Sequence, residues 1–277
     1  MVRLQRILVV GTLVLATFAH AGLWKRAPSI EEQFQHTAEL GKKGVFPLMF
    51  WPKDFPRRVG GIVGTGFFIN KAGYFLTASH VVDAAQSEGG KLSTFVFPQA
   101  SSPGGETSFD CQVVEADRTH DIALGFAPAY SRLLRTGAQN PNDPSTPHLG
   151  HLELTPTTPP VGTIVGVMGF PLGSWNPAFQ VGVLSATFTM NPSAPSVPAG
   201  KLELLQVAVA ANKGNSGSPV IEVRSGKVIG MLIMVMPAPL TSAIPNLPFG
   251  QNSGVALAVP SKWMVDFLRN CRIAADD

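Results

Sequence analysis

Apolar residues along this chain fall into short runs broken by Gly, Pro, Asn and Ser, not into long 3.6-residue stripes. That pattern predicts strands joined by turns. "GTGFFIN" (64–70) and "YFLTASH" (74–80) flank "KAG" and predict a hairpin. "STFVFPQ" (93–99), "DCQVVEAD" (110–117) and "DIALGFA" (121–127) predict further strands. Residues 127–160 are rich in Pro, Thr, Asn and Ser and show little periodicity, which predicts a long connection. Strand signals resume with "GTIVGVMGF", "FQVGVLSATF", "KLELLQVAVA", "SPVIEVRSGKVIGMLIMVM" and "GVALAVP", interrupted by a polar, proline-rich loop at 191–200. Two segments have helical signatures. In "SIEEQFQHTAEL" (29–40), Ser29 and Glu32 stand in capping-box positions. In "SKWMVDFLRNC" (261–271), Ser261 is the expected cap, and Trp263, Met264, Phe267 and Leu268 fall on one side. "VFPLMFWPKDFP" (45–56) reads as too proline-broken for a helix or a central strand.

Two runs of about six strands, one connection and a terminal helix predict an all-β fold. Two antiparallel six-stranded β-barrels are expected side by side. The first covers about 59–127, the connection 128–160, the second barrel 161–260 and the helix 261–271.

Composition supports this picture. The 277 residues are 45% hydrophobic and 14% charged, enough for one large core or two smaller ones, and 28 Gly with 24 Pro suit a turn-rich fold. The first residues read as a leader: Arg3 and Arg6, then the apolar "ILVVGTLVLATFA", then "AHA". The expected cut follows Ala21, leaving a domain at 22–277. The apolar run is shorter than the ~20 residues of a membrane span, and the alternative is an uncleaved anchor. Losing Arg3 and Arg6 takes two charges from the formal +3, so net charge gives no reason to expect nucleic acid. Cys111 and Cys271 could pair in an oxidising compartment or remain two separate thiols. Neither has metal-ligand spacing, and no metal or cofactor is expected.

The chemistry concentrates in "AANKGNSGSPVIEV" (210–223), where Gly214 and Gly217 bracket Ser216. Such a turn is either an ordinary strand connection or a platform for a nucleophile, and the second needs a base and an orienting acid. His80 closes an apolar strand, and Asp121 opens one. His36, His148 and His151 stand in polar or proline-rich segments and read as solvated. "GTGFFIN..GYFLTASHVV", "THDIALGFA" and "GNSGSPV" resemble the histidine, aspartate and serine motifs of the trypsin-like serine proteases, especially the Deg/HtrA branch. The order matches, and the likeness runs across most of 59–269, with weaker support from "VGVMGFPLG" and "GVALAVPSKWM".

The resemblance implies chymotrypsin-like barrels and a serine endopeptidase with a polypeptide substrate and a secreted or periplasmic location. It implies a triad of His80 as base, Asp121 as orienting acid and Ser216 as nucleophile, with the backbone N–H groups of Gly214 and Ser216 as oxyanion hole. Asp83 and Asp117 are rival acids; Asp121 is preferred because an apolar strand follows it, and His120 reads as a loop residue. Asn215 carries no charge to pair with a new amino terminus, so activation by cutting at Arg58 is not expected. Ser218 stands where many relatives have a second glycine, and Ser79 before the histidine is expected to have little consequence. Most Deg/HtrA proteases carry a PDZ domain after the protease; with few residues after the last helix, PDZ-based capture is not expected here. Ala210 lies six residues before the serine. Ile233 and Val235, alternating with Leu232 and Met234, are expected to face an apolar pocket for small or medium aliphatic side chains. The competing readings are a non-catalytic homologue that binds peptides or a protein partner in the same cleft, and an esterase. The GxSxG elbow of unrelated esterases is absent.

Overall fold

The strand pattern resolves into one open sheet and one closed barrel. The computed structural model describes residues 26–51, 61–87, 91–96, 107–135, 149–190, 202–237 and 252–275. The leader, the Arg58–Val59 bond, His148 and the 191–200 loop lie outside the described residues.

In the first half, helix α1 (Ile30–Gly44) leads into strands β1 (Val45–Trp51), β2 (Gly61–Phe68) and β3 (Tyr74–Thr77). Helix α2 (Ser79–Ser87), strands β4 (Lys91–Val96), β5 (Thr107–Asp110), β6 (Gln112–Asp117) and β7 (Ile122–Phe126), and helix α3 (Pro128–Arg135) follow. The strands form a seven-stranded sheet in the order β5-β4-β1-β2-β3-β7-β6. The second half contains β8 (Ile164–Gly169), β9 (Ala178–Met190), β10 (Leu202–Ala208), β11 (Pro219–Glu222), β12 (Val228–Pro237), β13 (Asn252–Pro260) and helix α4 (Ser261–Asn270). Its six strands close into a barrel in the order β10-β13-β12-β11-β8-β9. The all-β class and terminal helix are as expected, and the first half carries one strand more than expected.

Neither β1 nor the short β5 is among the strands named from the sequence, and β1 lies in a stretch read as too proline-broken for a central position. β1 nevertheless lies between β2 and β4. Pro47 is tolerated because β4 pairs with β1 only from Leu48 onward, so beside Pro47 a ladder runs on one edge alone. The predicted 127–160 connection also contains α3, which starts on Pro128. Tyr130 on α3 is fully buried and stacks on Phe68 with ring centroids 3.5 Å apart. Its hydroxyl donates to the Gly150 carbonyl, and burial pushes the phenol pKa up.

At α1 the capping box forms as predicted: Glu32 N–H donates to Ser29 Oγ at 3.1 Å, and Ser29 N–H to Glu32 Oε2 at 2.5 Å. At α4 the expected cap does not form. Pro260 is the N-cap residue, and Ser261 Oγ donates to the Thr155 carbonyl. The apolar side of α4 is as read, with Met264, Phe267 and Leu268 buried. Cys111 and Cys271 are not bonded to each other.

The two halves share a core. Phe67, Leu76, Ile122 and Leu124 of the first sheet pack in one cluster with Met168, Phe170, Ile221 and Val259 of the second half and Met264 of α4. Each such side chain stabilises by roughly 1.5–3 kcal/mol when buried. Prising the halves apart would expose the cluster, so groups facing each other across this junction are held in fixed register.

Candidate active site

His80 lies on the first turn of α2, three residues after β3 ends, and Asp121 lies on the turn just before β7. The ladder brings them together: β3 and β7 are antiparallel, with Thr77 opposite Ala123. Asp121 adopts a left-handed backbone (φ 57°), which Asp tolerates better than most residues. Its Oδ2 is 2.7 Å from His80 Nδ1. Its Oδ1 accepts from His80 N–H and from Ser79 Oγ, each at 2.9 Å. A carboxylate on Nδ1 keeps the proton there and leaves Nε2 as the lone-pair nitrogen. The hydrogen bond to Asp121 holds the His80 pKa above the ordinary imidazole value; partial burial opposes the rise, and the Asp121 and Asp83 charges add to it.

Ser79, expected to matter little, therefore belongs to the site. Its hydroxyl and backbone N–H both bind Asp121, at the side chain and at the carbonyl (3.2 Å). A hydroxyl beside the histidine was the available signal, but sequence alone did not give it a partner.

The rival acids are engaged elsewhere. Asp83 forms a two-pronged pair with Arg118, at 2.8 and 2.9 Å. Asp117 Oδ2 meets His120 Nδ1 at 2.6 Å. His120, read as a loop residue, is in a turn but also stacks on Trp263 at 4.4 Å.

Ser216 lies on the turn between β10 and β11. Gly214 (φ 95°) and Gly217 (φ 86°) have backbones that disfavour a side chain, and space excludes one as well. A Cβ on Gly214 would stand 2.2 Å from the Phe170 carbonyl oxygen, and one on Gly217 2.0 Å from that of Thr65. The Gly217 position also lies 3.2 Å from Ala78 N, in the segment leading to His80. A Cβ on Gly64 would meet Val81 at 2.8 Å and the Ser216 carbonyl oxygen at 3.1 Å. The serine turn thus packs against the stretch that carries His80. Among the described residues the Ser216 hydroxyl makes no hydrogen bond, to His80 or to any other group.

Leu172 N–H donates to the Lys213 carbonyl at 2.6 Å, and among the described residues no cis peptide is present. In a trans peptide C=O and N–H point oppositely, so the Gly214 N–H turns away from Leu172. Neither it nor the Ser216 N–H has a partner among the described residues. Leu172 itself has a left-handed backbone (φ 57°) and is 76% exposed.

Asn215 is buried, its Nδ2 3.5 Å from Gln180 Oε1 and its Oδ1 without a partner. The Ser218 hydroxyl fits in place of a glycine, but buried and unpaired. Ala210 is exposed, and its carbonyl accepts from Gln180 Nε2 at 2.7 Å. Ile233 and Val235 do not share a face. The β12–β13 register shifts between Leu232 and Met234, and Val235 packs against the barrel cluster that contains Leu232. Among the described residues no group of three His, Cys, Asp or Glu side chains is placed to hold a metal ion.

The family model described as "Trypsin-like peptidase domain" matches residues 64–231, more than half the chain. The chain belongs to the trypsin-like peptidase family. Within that family its similarities are Deg/HtrA-like. It is 32% identical over 188 residues to "Putative serine protease HhoA" of Synechocystis sp., covering 66% of this chain and 40% of that protein. It is 30% identical over 169 residues to "Probable periplasmic serine endoprotease DegP-like" of Pseudomonas fulva, covering 61% of this chain and 28% of that protein. The chain thus spans well under two thirds of these relatives. Among solved structures, Deg5 matches with a TM-score of 0.58 at 19% identity, covering 87% of this chain and 95% of that one. The HtrA-type protease AlgW with decapeptide matches with a TM-score of 0.59 at 17% identity, covering 88% and 68%. At those identities the structural likeness speaks for the fold. This trypsin-like peptidase has the sheet and barrel side by side, with the His80–Asp121 pair on the sheet half and the serine turn on the barrel half.

Proposed function

We propose that the protein is a serine endopeptidase that hydrolyses polypeptides through His80, Asp121 and Ser216. The observation that carries the reading is the hydrogen-bonded His80–Asp121 pair, packed against a serine turn with two unengaged backbone N–H groups. Ser216 Oγ attacks the scissile carbonyl carbon while His80 Nε2 takes its proton, forming a tetrahedral adduct. The oxygen that gains charge is received by Gly214 N–H and Ser216 N–H, which have no partner among the described residues and so need give up no bond to receive it. The imidazolium, stabilised by Asp121, returns the proton to the leaving amine, and an acyl-serine remains. Water then repeats the sequence and releases the acid.

Ala210 and Ile233 are assigned to an apolar specificity pocket, while Val235 packs against the barrel cluster that contains Leu232. The division proposed is a leader at 1–21 and a protease domain at 22–277. A secreted or periplasmic location follows from that leader and from relatives whose names include "periplasmic". Among the described residues no helix is long and apolar enough to cross a membrane.

The lack of a Ser216–His80 hydrogen bond favours a second reading, a non-catalytic relative that binds peptides in the same cleft. Catalytic hydrogen bonds are commonly loose before substrate arrives, so the first reading stands ahead. Incubation with unfolded casein decides between them. The wild type is expected to fragment it and Ser216→Ala to leave it intact. Binding without cleavage by both would establish the second reading.

A further inference from the structure

We propose that Thr65, a fully buried residue of β2, is the positioning residue that holds the oxyanion hole in its receptive shape. The proposal rests on the reading of Gly214 N–H and Ser216 N–H as the oxyanion donors. Thr65 has no exposed surface and cannot touch substrate, so any effect it has must pass through its neighbours.

Its backbone is released from the sheet by its surroundings. The N–H and C=O of Thr65 both face the β3 edge of β2, away from Pro47 on β1, and the β2–β3 ladder begins only at Phe67. Both backbone groups of Thr65 are therefore available to other partners. The N–H donates across the junction of the two halves to the Ser216 carbonyl at 2.8 Å, and the carbonyl accepts from Thr77 Oγ1 at 2.8 Å. The side chain acts on the same turn. Thr65 Oγ1 donates to the Gly214 carbonyl at 2.7 Å and accepts from Phe170 N–H at 3.2 Å.

One residue thus binds the carbonyls of both Gly214 and Ser216, the two residues whose N–H groups are left open. Each peptide plane is rigid, so fixing the plane that follows each donor limits how that donor can turn. The Leu172 bond to Lys213 restrains the plane that precedes Gly214. Thr65 and Leu172 together leave the Gly214 N–H little freedom to swing inward. Three features of Thr65 serve this role: its N–H, its hydroxyl, and a β-branched body that keeps the hydroxyl in few orientations.

The test uses the full-length protein and the variants Thr65→Ser, Thr65→Val and Thr65→Ala, with kcat and KM measured on a peptide ester. Val keeps the volume and N–H but removes the hydroxyl, and Ser keeps the hydroxyl. Removing an oxyanion donor outright costs on the order of a hundredfold or more, so loosening one is expected to lower kcat for Thr65→Val by about 10- to 100-fold. KM is expected to stay within about threefold, because loss of a transition-state interaction appears in kcat. Thr65→Ser is expected to keep most of the wild-type kcat. Binding of a peptide aldehyde, which forms the tetrahedral adduct, is expected to weaken in parallel with kcat. A Thr65→Val enzyme with wild-type kcat and merely lowered thermal stability overturns the proposal. So does a Thr65→Ser enzyme as impaired as Thr65→Val. Should Thr65→Val fail to fold, the Ser and Ala variants, alike in lacking the methyl, isolate the hydroxyl: Ala falling below Ser supports the proposal, and equal kcat overturns it. A wild type that never turns over the ester overturns the protease reading itself, and this proposal with it.

Discussion

Replacing Asp121 with Asn tests the site at its most constrained point. Oδ1 of Asp121 already accepts two hydrogen bonds, from His80 N–H and Ser79 Oγ, each at 2.9 Å. A backbone N–H cannot become an acceptor, so the Asn amide must keep its oxygen at the Oδ1 position. Turning it over would leave the His80 N–H facing an NH2 group, at about 2 kcal/mol, or a flipped population of a few per cent. The Asn nitrogen therefore occupies the Oδ2 position, 2.7 Å from His80 Nδ1, and donates to it. That forces the imidazole proton onto Nε2, the atom that has to receive the Ser216 proton. The same exchange in a Ser-His-Asp triad lowers kcat by about 10,000-fold, and that is the size expected here. The assay is ester hydrolysis by wild type and Asp121→Asn at neutral pH, with circular dichroism as the folding control. A folded Asp121→Asn protein within tenfold of wild type would refute the assignment of Asp121 and the tautomer logic behind it.

Three further outcomes follow from the same geometry. The His80 pKa is raised by its bond to Asp121, so the acylation rate is expected to climb with pH to a plateau, with its midpoint above about 6.5. A lower midpoint contradicts the pairing. By linkage, the raised value means that the charged pair stabilises the fold fully below the unfolded histidine pKa. That increment is lost as pH rises through the folded value, the window in which activity appears. Asp83→Asn, which breaks the exposed pair with Arg118 and removes the smallest contribution to the raised His80 pKa, is expected to leave ester turnover within about threefold of wild type, since surface pairs contribute little; a loss comparable to that of Asp121→Asn would show the wrong acid had been chosen. Gly217→Ala places a Cβ 2.0 Å from the Thr65 carbonyl oxygen at φ 86°, and thermal melts are expected to show a loss of about 3 kcal/mol or more from strain and overpacking. A wild-type melt would mean the turn is looser than described.

Much of the candidate site was legible because its parts are local. His80, Asp121 and Ser216, the proposed triad, each stand in a short stretch that can be read without knowledge of distant partners. α1 was legible through Ser29 and Glu32, since a capping box is contained within four residues. What escaped depended on distant partners. Prolines in 45–56 argued against a central strand, and nothing local revealed that β4 leaves Pro47 uncovered. Ser79 gave no sign of Asp121, and Thr65 none of Gly214, because those bonds join residues 42 and 149 positions apart. Ser261 has the residue type of a cap, yet its hydroxyl goes to Thr155, 106 residues away. Strand alternation placed Ile233 and Val235 on one side, and the register shift in β12 separates them.

The central claim is that His80 makes Ser216, and no other serine, a nucleophile. A fluorophosphonate probe bonds covalently to such a serine, and peptide mass mapping locates the adduct. The full-length protein is expected to carry one adduct on Ser216, with Ser216→Ala unlabelled and His80→Ala labelled far more slowly. An adduct on another serine, or equal labelling of wild type and His80→Ala, would contradict the account.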